Sequence, residues 1–177
     1  MATSTTLVPL EQYLRTTYQP DRDWIDGEVR ERNVGEGSHA SVQGFLTFFF
    51  RLHGPEWGVR CYPELRIQTS DAHYRVADVC VVRRSDPFEE VVRIAPPLCI
   101  EILSKDDRMS DMQEKIEDYL GMGVTTVWVI DPVRRKAFNT DHEGLALPVA
   151  EFLTVKDTPI RVSLNALFEE LNEIGSN

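Results

Sequence analysis

Apolar residues recur along this chain in two rhythms, one helical and one alternating, and each change of rhythm marks an element. Leu10, Tyr13 and Leu14 stand at helical spacing and predict a short helix over residues 9–17. Asp26-Gly27, set between short strand-like runs in residues 24–32, predicts a hairpin with a two-residue turn. Ser38 stands where a helix cap is expected. Val42, Phe45, Leu46 and Phe49 then predict a buried stripe running to about His53, with Gly54-Pro55 as the stop.

Three strands are expected next, over residues 59–68, 74–83 and 98–103, with turns near Ser70 and across 85–93. Pro96-Pro97 permits an extended entry into the third strand but no helix. Ser110 and Gln113 match a capping box for a helix whose apolar face is Met112, Ile116, Tyr119 and Leu120, ended by Gly121 and Gly123. Residues 124–130 form another apolar strand closed by Asp131-Pro132, with 136–140 beside it. The end of the chain, residues 160–173, reads as a short strand and a closing helix. Strand, helix and strand across 98–130 imply a right-handed crossover and a parallel pair inside a mixed sheet.

The 177 residues fit one domain spanning the whole chain, without repeats, low-complexity tracts or long linkers. No apolar run approaches the roughly 20 residues that span a bilayer. The opening MATSTTLVPLEQ lacks a basic region followed by an apolar core. A cytoplasmic protein with no membrane segment is therefore expected. Cys61, Cys80 and Cys99 are odd in number and widely spaced, and they read as small core residues in a reducing compartment. The net charge of −10 argues against a broad, sequence-independent phosphate-binding surface. Metal ions at an acidic site can nevertheless bring positive charge of their own.

The chemistry is concentrated in two strands. Asp78 interrupts Val76, Val79, Val81 and Val82, and Glu101 interrupts Leu98, Ile100, Ile102 and Leu103. A carboxylate in such a run is costly to bury unless something pairs with it. Neighbouring strands lie about 4.8 Å apart, so the two carboxylates can converge on one cation. Asp and Glu oxygens suit Mg²⁺ or Mn²⁺. For either carboxylate alone, the alternative is an edge-strand position facing solvent. Two such charges without a metal repel and raise an apparent pKa, so Asp78→Asn is expected to melt above the native chain. Lys115 lies at one border of the following helix's apolar stripe, where its stem can lie along the surface and aim the ammonium at the sheet. The alternative is a lysine reaching water or pairing with Glu114 or Asp111. G-x-S-x-G, P-loop, G-x-G-x-x-G and H-E-x-x-H patterns are absent, and His53, His73 and His142 are spaced wrongly for zinc.

These residues resemble the PD-(D/E)XK nuclease superfamily and, more narrowly, the bacterial Uma-type restriction endonucleases. The resemblance is carried by WIDGEVRER, GSHASVQGFL, YRVADVCVV, IEILSKDDRMSDMQEKIEDYLGMGV and VWVIDP. It implies an α/β fold with a restriction-endonuclease-like core, a mixed twisted sheet flanked by helices, and an added N-terminal helix and hairpin. It implies Asp78 and Glu101 as metal ligands and Mg²⁺- or Mn²⁺-dependent hydrolysis of DNA phosphodiesters. The superfamily lysine normally stands two residues after the glutamate, where this chain has Leu103; Lys115 is its replacement, with Lys105 as runner-up. Ala77 departs from the usual Pro-Asp pair. Glu36 and His39 fall where the family places polar residues facing the site, although a hydrogen-bonded boundary histidine is the stronger reading of His39. Glu64 offers a carboxylate for a second metal, or a solvated strand residue. A homodimer stays open. Two other readings stand beside the nuclease: a catalytically weak nucleic-acid-binding module, and a protein-interaction or regulatory subunit.

Overall fold

The longest strand of the molecule carries Asp78 and touches three other strands, and that arrangement sets the geometry of the site. In this computed structural model the described residues are 7–33, 36–140, 143–144 and 146–174. His142 and the first six residues of the opening segment lie outside them. The elements begin with α1 (Leu10–Arg15), the hairpin β1 (Asp23–Ile25) and β2 (Glu28–Arg30), and α2 (Gly37–Trp57). There follow β3 (Val59–Gln68), β4 (His73–Arg83), β5 (Leu98–Ile102), α3 (Met109–Met122), β6 (Val127–Asp131) and β7 (Lys136–Thr140). The described chain closes with β8 (Ala146–Pro148), β9 (Phe152–Thr154), β10 (Arg161–Ser163) and α4 (Leu164–Ile174).

The main sheet runs β2-β1-β4-β5-β6-β7-β8, with β3 paired to the other edge of β4. Among the described strands β5 and β6 form the parallel pair, joined through α3, as the crossover argument expects. Alternate residues of β5 and β6 face opposite layers, as strand geometry requires. Leu98, Ile100, Ile102, Trp128 and Ile130 pack against Val42, Leu46 and Phe50 of α2 and Leu167 and Phe168 of α4. Cys99, Val127 and Val129 pack against Met112, Ile116 and Tyr119 of α3. The result is a mixed sheet between helical layers, with a third cluster of Tyr13, Trp24, Tyr74 and Val91 fastening α1 and the hairpin to its edge. No helix of the described residues is long and apolar enough to cross a membrane.

Several local expectations are corrected. Gly54-Pro55 does not stop α2, which continues to Trp57 and ends at Gly58 in the left-handed region (φ 68°). A proline removes one helical hydrogen bond, which is tolerable in a last turn. Gly54 is needed there because a Cβ would lie 2.7 Å from the Val59 carbonyl oxygen. Val42 and Leu46 of the expected α2 stripe are fully buried, and Phe50 joins them in place of Phe45 and Phe49, which are partly buried. The expected caps are also displaced: α2 starts after Glu36 and α3 after Arg108, neither with a side-chain cap, and Ser110 instead donates to Asp111. The hairpin turn is as expected, with Asp26 and Gly27 both at positive φ (50° and 89°).

Candidate active site

The site is built where the sheet opens. On one edge β4 pairs with β3 along most of its length. On the other edge it pairs with β1 only at His73 and Tyr74, and with β5 only at Val79, Cys80 and Val81. Residues 75–78 between them have no strand partner on that edge, so their backbone groups must be satisfied another way. Side chains do it. Asp23 accepts the Val76 N–H at 2.8 Å, and Lys115 donates to the Val76 carbonyl at 3.2 Å. Asp78 Oδ2 accepts the Ile102 N–H at 2.7 Å, and Gln43 donates to the Asp78 carbonyl at 2.9 Å. The β4–β5 register, continued one step past Val79↔Ile100, sets Asp78 opposite Glu101 where the ladder parts.

Both carboxylates are buried, Asp78 at 4% exposure and Glu101 at 2%. Each has a cation. Arg32 Nη2 lies 2.5 Å from Asp78 Oδ1, and Lys115 Nζ lies 3.0 Å from Glu101 Oε2. His39 Nε2 approaches Asp78 Oδ2 at 3.3 Å, and Tyr119 donates to Glu101 Oε1 at 2.6 Å. Burial alone would raise the Asp78 carboxyl, but the His39 hydrogen bond and the Arg32 guanidinium hold it below its ordinary value. Burial raises Glu101, with Asp78 adding to the effect and Lys115 opposing it. Burial would lower Lys115, yet the Glu101 and Asp23 carboxylates outweigh it and keep the ammonium charged.

Asp78, Glu101, Arg32, His39 and Lys115 line a cleft of about 470 Å³, together with Arg30, Asn33 and Ser104 and the acidic start of α3. Arg32 Nη1 and Ser104 Oγ are covered and have no hydrogen-bond partner among the described residues. Behind Lys115 a second charge cluster holds the fork in shape. Arg75, 3% exposed, meets Asp23 at 3.2 Å, Glu114 at 3.0 Å and Asp118 at 2.5 Å.

The structure brings together Asp78, Glu101, Lys115 and His39. It does not bring in Lys105, whose side chain is 65% exposed and pairs with Glu36 at 2.5 Å. Glu64 is exposed and stands at φ 52° in the register position opposite Asp78 on β3. A non-glycine residue held there costs about 1–3 kcal/mol and tends to mark a functional site. Arg32, Tyr119, Asp23 and Arg75 are contacts that sequence reasoning misses. The one available signal is the burial of Tyr119 beside a buried carboxylate, because a buried phenol needs a partner.

The donor set fits a hard divalent cation. Mg²⁺ is commonly bound through one or two carboxylates, with water and phosphate oxygens completing its shell. Asp78 and Glu101 supply the two carboxylates on one cleft. Among the described residues no group of three or more His, Cys, Asp or Glu could hold a metal, so the protein would offer an ion these two carboxylates alone.

Fold and cleft together define a restriction-endonuclease-like α/β protein, a mixed sheet whose strands part over two buried carboxylates and a lysine. The chain belongs to the family described as "Uma2: Putative restriction endonuclease", which it matches over residues 10–158. Among solved structures it is similar to a crystal structure described as a putative nuclease belonging to DUF820 from Anabaena variabilis, with a TM-score of 0.79 at 23% identity, covering 93% of this chain and 99% of that one. No curated protein matches it.

Proposed function

We propose that this chain is a divalent-cation-dependent endonuclease that hydrolyses phosphodiester bonds of DNA. The observation that carries the reading is the convergence of Asp78, Glu101 and Lys115 at one opening of the sheet, with Lys115 3.0 Å from Glu101. Asp78 and Glu101 are the residues that would hold Mg²⁺ or Mn²⁺. When bound, such an ion lowers the pKa of a water and polarises a phosphate oxygen.

The remaining steps belong to the chain. Lys115 is pinned by Glu101 and the Val76 carbonyl, so its ammonium is fixed before substrate arrives. A fixed cation there stabilises negative charge developing on the phosphate at little reorganisation cost. Arg32, paired with Asp78 in the lining of the cleft, brings a second fixed positive charge to the site. Tyr119 positions Glu101 through its second oxygen. The acidic rim keeps a bare phosphate out, which makes the cation part of substrate binding as well as of chemistry.

The test is strand cleavage of plasmid and of single- and double-stranded oligonucleotides in Mg²⁺ and in Mn²⁺, beside Glu101→Gln. Metal-dependent breaks lost in the variant are expected. A native chain that binds duplex but cuts nothing in either metal would leave the binding-module reading in place. A chain that neither cuts nor binds would favour the regulatory subunit.

A further inference from the structure

The cleft does not by itself explain how an acidic protein would hold a DNA backbone. Asp106, Asp107, Asp111, Glu31 and Glu114 stand around it, and they repel phosphates near the scissile one. Several cations elsewhere on the chain are spent on carboxylates, as with Arg22 and Glu31, Arg66 and Asp21, and Arg134 and Asp131. Arg51, Arg60 and Arg84 differ. They line one concavity of about 200 Å³ with Phe50, Val59, Cys61 and Tyr62, and no carboxylate lines it. None of the three forms an ion pair with a described residue. Arg60 donates to the Arg84 carbonyl at 3.2 Å, and Arg84 donates to the Val59 carbonyl at 3.1 Å. Neutral carbonyl partners orient the Arg60 and Arg84 guanidinium groups, Arg51 lies beside the Cys61 thiol, and no carboxylate in the concavity compensates their charge. A guanidinium in that condition matches a phosphodiester oxygen pair in geometry and charge.

The position of this concavity is set by the two elements that also carry the cleft. Strand β4 holds Asp78 near its middle, and Arg84 follows its last residue, six residues on, about 20 Å away at strand rise. Helix α2 holds His39 in the cleft and Arg51 twelve residues later, about 18 Å along its axis. Both routes span the length of some five or six base-pair steps, at about 3.4 Å per step. Two rigid elements therefore hold the cleft and the arginines at a fixed separation.

We infer that Arg51, Arg60 and Arg84 form an anchor for the phosphodiester backbone of the DNA, remote from the cleft. The assignment rests on the nuclease reading for the identity of the substrate, and on the unpaired arginines for its place. The anchor supplies affinity without base contacts, and it lets the acidic cleft meet its phosphate only once the duplex is already held.

The experiment is fluorescence anisotropy of a labelled 20-base-pair duplex in chelator, titrated with the full chain over a series of salt concentrations. Arg51→Gln/Arg60→Gln/Arg84→Gln is compared with the native chain and with the charge-keeping Arg51→Lys/Arg60→Lys/Arg84→Lys. Glutamine keeps a donor for the carbonyl contacts, and thermal melts establish that both variants fold. The glutamine variant is expected to bind about tenfold or more weakly, and its log K against log salt slope should be shallower by about 2.7, for three phosphate contacts at about 0.9 each. The lysine variant should keep the native slope. Equal affinity and slope in the native and glutamine chains would overturn the anchor while leaving the nuclease reading to its own Glu101→Gln cleavage test. Equal losses in the glutamine and lysine variants would also overturn it, since that result marks a packing role. A native chain that binds no duplex would remove the anchor outright.

Discussion

Tyr119 donates its hydroxyl to one oxygen of Glu101 at 2.6 Å, from one helical turn beyond the lysine that takes the other oxygen at 3.0 Å. Both donors come from one face of α3, so a single packed helix fixes both lone-pair sides of a carboxylate that is 2% exposed. Tyr119→Phe keeps the ring in the core and removes only the donor. A hydrogen bond to a charged group is worth about 1.5–3 kcal/mol, which for a chain of this size corresponds to a melting temperature lower by about 4–8 °C. Calorimetry checks this, and cleavage at saturating metal should fall less than metal affinity does.

Asp78→Asn should destabilise the protein. The sequence alone suggests the opposite sign, because two unpaired carboxylates would repel. In the structure Asp78 is the partner of the nearly buried Arg32, and removing one member of such a pair costs about 3–5 kcal/mol. The sign for pH follows the same contacts. Asp78 is held below its ordinary value, so its contribution is present above the unfolded pKa and is lost as pH falls through the lower folded value. Denaturant melts at neutral pH decide it, and an asparagine variant that melts higher would contradict the ion pair.

Lys115→Ala should slow cleavage about tenfold or more, at about 1.4 kcal/mol for each factor of ten. Lys105→Ala should change it little, since that lysine pairs with Glu36 in solvent. Single-turnover rates in Mn²⁺ separate the two. Fast Lys115→Ala with dead Lys105→Ala would reassign the lysine.

Alkaline pH should destabilise the protein through its buried thiol and phenol groups. Burial raises the Cys61 thiol to about 11 and raises Tyr74 and Tyr119 above their ordinary values. A group whose pKa is raised on folding contributes stability that is full below its unfolded pKa and is lost as pH rises through the folded one. For Cys61 that window runs from about 9 to about 11. Stability measured from pH 8 to 11 should fall across it, and less steeply in Cys61→Ala. Ellman's reagent at pH 8 should label the native thiols slowly.

Two glycines of α2 should respond in opposite directions. A Cβ on Gly54 meets the Val59 backbone oxygen at 2.7 Å, so Gly54→Ala should cost about 1–3 kcal/mol. Gly44 has nothing within 4 Å of the same position, so Gly44→Ala should gain up to about 1 kcal/mol from helix propensity. Urea melts of the pair provide an internal comparison.

Much of this was legible from residue pattern because the signals are local. A carboxylate among β-branched residues announces Asp78 and Glu101, and the parallel pair follows from one strand–helix–strand run. Lys115 is readable as a border residue of an apolar stripe. Tyr119 is hidden by the same stripe, since its periodicity is that of any core aromatic. Arg32 and Asp23 are hidden for another reason, as they reach Asp78 and Val76 across 46 and 53 residues of sequence. Helix α2 outruns Gly54-Pro55 because the strand after it packs against the glycine, a tertiary fact. Strands β8 and β9, three residues each, are too short to carry a rhythm.

The opening in the sheet has a consequence for inheritance. Asp23, Asp78 and Lys115 stand in for backbone partners that the parted strands do not provide to one another. A relative in which the cleft does no chemistry would therefore still be selected to keep them, because losing one leaves a strand unsatisfied. An intact constellation by itself therefore does not separate an active relative from an inactive one. Relatives are better compared at exposed positions that hold no strand together, such as Arg51 and Arg84, where loss of a substrate contact would cost the fold little.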